Sequence, residues 1–133
     1  MQDKDYNKAL EILNLTEEEC WGGLYTCSNI SIDQIKALYE KTPSYLLLDL
    51  SYNEAPTGDD FIEFLKEHPN FISEGYFYDK DREITGLMIT GIKAKNNDKN
   101  TQDLYSFVNK ENADYGQPDE YGVYDGYIRA WWD

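Results

Sequence analysis

The apolar residues of this chain change their spacing several times, from helical to strand-like and back, and this alternation most constrains the fold. Between residues 6 and 13, apolar side chains recur at i, i+3, i+4 and i+7, which predicts a short first helix. Ser31 and Gln34 form a capping-box pattern that begins another helix, and Pro43 marks its end. A similar pattern at residues 16–19 predicts an additional helical turn.

Strand-like segments separate these helices. Residues 20–28 are compatible with a strand, and their Gly-Gly pair suggests a bulge or a close backbone approach. Residues 44–52 are apolar on both faces, which predicts a central strand. Residues 71–78 and 84–94 predict a hairpin around a charged turn, in which glycines mark bulges or tight packing. These segments provide most of the expected sheet.

The remaining elements complete the predicted order. A third helix follows the turn at residues 55–58 and ends at residues 68–70. A polar loop precedes a short helix over residues 102–109, and a last strand runs over residues 121–132. Because strands and helices follow one another without a strict βαβ repeat, we predict one α+β domain over residues 1–133. Its helices pack on a mainly antiparallel sheet.

Charge narrows the partners that the chain can bind. The sequence has 26 Asp and Glu against 12 Lys and Arg, a formal net charge of −14 on 133 residues. Such a surplus repels nucleic acid and anionic membranes and attracts basic protein surfaces. Disordered acidic chains are poor in aromatic residues, whereas 15% of this chain is aromatic, so we expect a folded domain.

The start of the sequence is polar and acidic, unlike a signal peptide, and no apolar run is long enough to span a bilayer. We therefore expect a soluble cytoplasmic protein in which Cys20 and Cys27 are reduced thiols.

Motifs for catalysis or metal binding are incomplete. The acids at residues 79–83 resemble the start of a calcium loop, but the sixth and twelfth positions hold Ile84 and Thr90 instead of Gly and Glu. His68 is the only histidine, and we expect it at the end of the third helix and not on zinc. A Cys–His nucleophile pair and a carboxylate dyad stay open as alternatives. The sequence predicts no specific catalytic, cofactor or metal-binding residue.

Two acidic surfaces stand out as candidates for protein binding. One is the outward side of the third helix, and the other is the C-terminal segment, where acids alternate with tyrosines. Tyrosines carry binding energy at interfaces, and neighbouring acids attract a basic partner, although the same tyrosines suit an ordinary strand. The candidate partner-binding residues are Asp59, Asp60, Glu63, Glu67, Asp114, Tyr115, Asp119, Glu120, Tyr121, Tyr124 and Asp125.

These observations favour a non-enzymatic inhibitor of a basic, nucleic-acid-handling protein such as a nuclease or toxin. Its carboxylates would occupy a groove built for phosphates. Phage or mobile-element antagonists of restriction and CRISPR systems, and immunity proteins that neutralise toxic nucleases, share this small, acidic, cofactor-free profile; the likeness is one of composition. Two alternatives remain. One is a small enzyme or ligand-binding domain with a pocket lined by Tyr, Trp and acids, and the other is an adaptor subunit.

Overall fold

The computed structural model describes residues 4–16, 20–51 and 54–132. Over these residues the chain forms the predicted α+β fold, with four α-helices and five strands. The helices are α1 (Lys4–Ile12), α2 (Ile32–Lys41), α3 (Gly58–Glu67) and α4 (Asp98–Val108). The strands are β1 (Leu24–Ile30), β2 (Ile72–Tyr78), β3 (Gly86–Lys95), β4 (Glu120–Tyr124) and β5 (Tyr127–Trp131).

The five strands form one antiparallel sheet in the order β1-β2-β3-β5-β4. Successive side chains of a strand point to opposite faces, so the sheet has two distinct sides. The helices bury one side, which carries Phe77 and Trp132. The other side, which we call the open face, carries Tyr76, Trp131 and Arg129.

Helices α1, α2 and α3 begin close to the residues that their sequences predict. In α1, Tyr6 and the two apolar residues that follow it on the same side are buried. Ser31 and Gln34 form the predicted capping box of α2, and Thr57 and Asp60 form a second one at the start of α3. Helix α4 begins one turn earlier than predicted. The Asn97 side chain accepts a hydrogen bond from the Asn100 backbone N–H and caps the start of the helix.

Residue 52 lies outside the described residues, and over residues 44–51 the predicted strand is wrong. Its first residues form a 3₁₀ turn (Pro43–Tyr45), and only Leu46 makes an isolated parallel bridge, to Leu87 of β3. The segment lies between layers, since its backbone packs closely against Gly86 of the sheet and Gly58 of α3. Of its leucines, Leu46 is buried in the core and Leu48 packs partly against it, which explains part of the apolar sequence without a strand.

The C-terminal region also differs from its prediction. Two strands, β4 and β5, replace the single predicted strand, and a two-residue turn at Asp125 and Gly126 joins them. Both turn residues have positive φ, as a type I′ hairpin requires. Trp131 and Trp132 lie on opposite faces, as the period of a strand predicts.

The predicted Gly-Gly feature before β1 is a turn and not a bulge. Trp21 and Leu24 exchange backbone hydrogen bonds of 2.9 and 3.2 Å around Gly22 and Gly23, which both have positive φ. The hairpin predicted over residues 71–94 is confirmed as β2 and β3. The extra helical turn predicted from the capping box at residues 16–19 lies mostly outside the described residues.

Candidate partner-binding site

Carboxylates from two helices meet in a groove of about 180 Å³ between α3 and α4, which we call the acidic groove. Helix α3 contributes Asp60, Glu63 and Glu67 to its lining, and α4 contributes Asp103. The α3 acids follow one another at i, i+3 and i+7, so they share one side of the helix, and the buried Phe64 lines the groove beside them. Three predicted partner-binding residues therefore lie together.

Asp103 is a groove residue that is absent from the partner-binding residues predicted from the sequence. Its carboxylate accepts a hydrogen bond of 2.9 Å from Lys99 Nζ and lies 3.4 Å from His68 Nδ1. His68 is the C-cap of α3, as predicted, and its ring stacks on Phe64 at 4.4 Å between centroids. Spacing alone indicates the Lys99–Asp103 pair within α4, but only the tertiary fold brings Asp103 to α3.

Tyr115 connects the tyrosine-rich C-terminal region to the acidic groove. Its ring stacks on Phe107 at 5.3 Å, and its hydroxyl donates a hydrogen bond to the Phe107 carbonyl. Burial and the negative charge of Asp60 raise the pKa of Tyr115 to about 12. Tyr115 is therefore a neutral, half-buried wall of the groove that also fixes the following chain on α4.

The other predicted residues of the C-terminal region lie away from the groove. Glu120, Tyr121 and Tyr124 belong to β4, at one edge of the sheet, and Asp125 lies in the adjoining turn. Asp114 and Asp119 are exposed in the chain between α4 and β4. Of the residues predicted in the C-terminal segment, only Tyr115 therefore lies in the acidic groove with the acids of α3.

Asp59 faces a second groove, between α2 and α3. This groove has a volume of about 740 Å³, and Ile35, Leu46 and Ile62 form part of its apolar floor. Tyr39 and four charged side chains also line it. Its size suits a small molecule, but its lining differs from the Tyr, Trp and acid set that the ligand-binding alternative expected.

The carboxylates of the open face pair with Arg129, and Lys93 lies there over the Tyr127 ring. Arg129 Nε donates to Glu74 Oε1 at 2.7 Å, and Nη1 donates to Glu120 Oε2 at 2.5 Å. The guanidinium also lies over the rings of Trp131 and Tyr124, at 4.9 and 5.8 Å. Burial lowers the pKa of Arg129, but hydrogen bonds to both carboxylates outweigh it and raise the pKa overall. This face is aromatic and close to neutral, unlike the groove.

The described residues favour no nucleophile or metal site. Cys20 Sγ lies 3.4 Å from Asp79 Oδ2, and burial together with this carboxylate raises the pKa of the thiol. A catalytic cysteine needs the opposite shift. Cys27 is a buried thiol. In the described part of the chain, no group of three His, Cys, Asp or Glu side chains is placed to hold a metal ion.

None of the described helices has the length and apolar character needed to cross a membrane. The sequence matches no protein-family model, and neither curated proteins nor solved structures show significant similarity to it.

Proposed function

We propose that this protein is a non-enzymatic binding protein that inhibits a basic, nucleic-acid-handling protein in the cytoplasm through its acidic groove. The observation that carries this proposal is the meeting of Asp60, Glu63, Glu67 and Asp103 around one groove that Tyr115 walls. Acids concentrated in a concave site focus the negative field of the whole molecule. A tyrosine beside them supplies contact area for a partner.

The spacing of the α3 acids supports imitation of phosphates. At about 1.5 Å per residue, the span from Asp60 to Glu67 is about 10 Å along the helix axis. Its three carboxylates give about one charge per 3–5 Å, whereas one strand of duplex DNA carries one phosphate per about 3.4 Å of axis. The α3 row alone therefore has a charge density comparable to that of a nucleic-acid strand. Asp103 adds little to it because its carboxylate is paired with Lys99, and Lys110 also lines the groove.

The test is capture of partners from lysate at low salt, followed by binding measurements on the proteins recovered. We expect a basic nucleic-acid-binding protein whose association slows steeply as salt is added. The double variant Glu63→Gln/Glu67→Gln should weaken binding about tenfold or more. A matched control, Glu83→Gln/Glu111→Gln, removes two exposed charges elsewhere and should change binding little.

Competition with nucleic acid separates two forms of the proposal. A phosphate mimic should displace DNA or RNA from its target, whereas an immunity protein bound beside the active site should leave nucleic-acid binding intact. Recovery of no basic protein at low salt, or equal binding by the groove and control variants, would contradict the proposal.

The groove between α2 and α3 supports a second candidate, a ligand-binding domain. Its volume of about 740 Å³ lies within the range of small-molecule sites, and its floor is apolar. A thermal-shift screen with amphipathic small molecules tests it, because a ligand that binds only the folded state raises Tm. Substitution of Ile62 by Glu should abolish such a shift, while Glu63→Gln in the acidic groove should not.

A further inference from the structure

Strand β4 is a short edge of the sheet, and from Tyr121 to Tyr124 it carries no charge, proline or bulge. Natural edge strands carry lysine, proline or a bulge, or are covered by another element, because an open edge invites a foreign strand. β4 reads Glu-Tyr-Gly-Val-Tyr and keeps a regular register with β5 from Glu120 to Tyr124. In the described part of the chain, no strand pairs with its outer side.

The turn geometry indicates which backbone groups face outward. Tyr124 and Tyr127 close a two-residue hairpin, so this pair is the one that exchanges both backbone hydrogen bonds. Bonded and non-bonded pairs alternate along an antiparallel ladder. Tyr121 and Val123 therefore direct their N–H and C=O groups away from β5.

The opposite edge of the sheet is built differently. β1 has a break in its register with β2 between Cys27 and Ile30, and the tight turn from Trp21 to Leu24 folds the chain back at its start. A bulge and a folded end both hinder the addition of a strand. Of the two edges, β4 is the one open to pairing.

Charge argues against a second copy of this chain as the occupant. An antiparallel self-pair that used all five β4 residues would be centred on Gly122, and it would place Asp119 opposite Asp125 at both ends. Like charges directly opposite one another destabilise a pair of strands. Glu120 adds a further negative charge with a half-exposed side chain. Asp119 and Asp125 would attract lysine or arginine on a foreign strand, and Glu120 has to share the one Arg129 guanidinium with Glu74.

The two sides of the edge differ in polarity. Tyr121 and Val123 lie on the helix side of the sheet, opposite Ala130 and Ile128, and Val123 is 55% exposed. Tyr105 of α4 lies near Tyr121, whose pKa is raised by burial and by this neighbour. On the open face the edge carries Glu120. A complementary strand has apolar residues toward the helices and basic residues toward the open face.

We propose that the outer edge of β4 binds an extended segment of a basic partner as a sixth strand, with apolar residues alternating with lysine or arginine. Backbone hydrogen bonds to Tyr121 and Val123 would provide affinity, and the alternating side chains would provide specificity. The inference rests on the proposed function for the basic character of the partner. It names a site separate from the acidic groove.

The test uses the peptide Lys-Val-Lys-Val-Lys-Val-Lys and amide hydrogen exchange. Binding should protect the amides of Tyr121 and Val123, while Lys-Pro-Lys-Pro-Lys-Pro-Lys, of equal charge, should not. Val123→Pro removes one outward N–H but no bond to β5, so the hairpin should persist. It should weaken binding about tenfold, because about one hydrogen bond is lost and the ring opposes pairing. Val123→Thr keeps the amide and should bind like the parent.

Each result decides the question. Protection of the two edge amides in the parent protein supports the proposal even if Val123→Pro fails to fold. Unprotected edge amides at millimolar peptide overturn it, and so does edge protection that appears with increasing protein concentration alone, which would indicate a second copy. Glu63→Gln/Glu67→Gln should leave edge binding of the peptide largely intact, so failure of the groove and failure of the edge are distinguishable.

Discussion

Arg129 shows how one residue holds several strands together. It lies on β5 and reaches Glu74 of β2 and Glu120 of β4, so its guanidinium joins strands on both sides. Glu74 is buried, and its charge has a favourable environment only because this cation is present. We expect Arg129→Met to destabilise the fold by about 3–5 kcal/mol, measured by urea unfolding, because it strands a buried carboxylate.

The control for Arg129 is removal of both charges. Arg129→Met/Glu74→Met replaces the pair by apolar side chains and should recover most of the lost stability. Glu120→Gln should cost about 1 kcal/mol or less, since the Glu120 side chain is 50% exposed. Equal losses from Glu120→Gln and Arg129→Met would contradict this division of roles.

Tyr115 predicts a loss of stability in alkaline solution. Its pKa is about 12 in the folded protein, because of burial and Asp60, against 10.0 for an unperturbed tyrosine. Between these values the unfolded chain loses a proton that the folded protein keeps, so Tyr115 lowers stability as pH rises from 10 to 12. Ultraviolet titration of Tyr115→Phe should lack one transition near pH 12 that the parent shows. A missing transition near pH 10 would contradict the shift.

At the scale of elements, sequence patterns predicted the helix starts, apolar helix sides and hairpins that depend on interactions between nearby residues. The capping box of α2, the apolar sides of α1 and α3, and the β2–β3 hairpin depend on neighbours within a few residues, and all are present. The capping box predicted at residues 16–19 lies mostly outside the described residues. The prediction of a strand over residues 44–52 was wrong in the described part of that segment for a physical reason. A short apolar run has the same sequence pattern in a central strand as in an irregular segment that packs against a helix and a sheet. Only the tertiary fold distinguishes the two.

Gly58 is sensitive to substitution because the backbone of Leu47 and Leu48 packs against it. A Cβ at Gly58 would lie 2.5 Å from the Leu47 carbonyl oxygen and 3.0 Å from Leu48 Cα. We expect Gly58→Ala to destabilise the protein by about 1–3 kcal/mol, although alanine favours helices, because the backbone must move. The neighbouring exposed variant Asp59→Ala should cost about 1 kcal/mol or less. Thermal unfolding of both variants measures this, and a stabilised Gly58→Ala would contradict the packing.

At the scale of the whole molecule, the candidate site was only half predictable. The acids of α3 follow from helical spacing, but Asp103 joins them through the packing of α4, and Tyr115 joins them through its stack on Phe107. Glu120 and Tyr124 lie instead at the sheet edge. The sequence indicates which residues share one side of a helix or strand, whereas a binding site also depends on which helices and strands pack together.

The net charge of −14 predicts how salt affects folding. Mutual repulsion of the acids opposes the compact state, and added salt screens it as the Debye length falls from about 30 Å at 0.01 M to about 8 Å at 0.15 M. We expect the free energy of unfolding to rise over this range. Urea titrations in NaCl and KCl should agree, since screening depends on ionic strength. A decrease with salt would indicate that ion pairs such as Arg129–Glu74 outweigh the repulsion.

The three tryptophans lie in three different environments. Trp132 is fully buried against Phe61, Trp131 lies on the open face beneath Arg129, and Trp21 is 87% exposed in the turn before β1. The three indoles therefore differ in solvent exposure and in the side chains that can quench them, so their fluorescence should differ. Variants that keep one tryptophan at a time would make the protein its own optical reporter, with separate signals for the core, for the open face beside β4 and for the far edge.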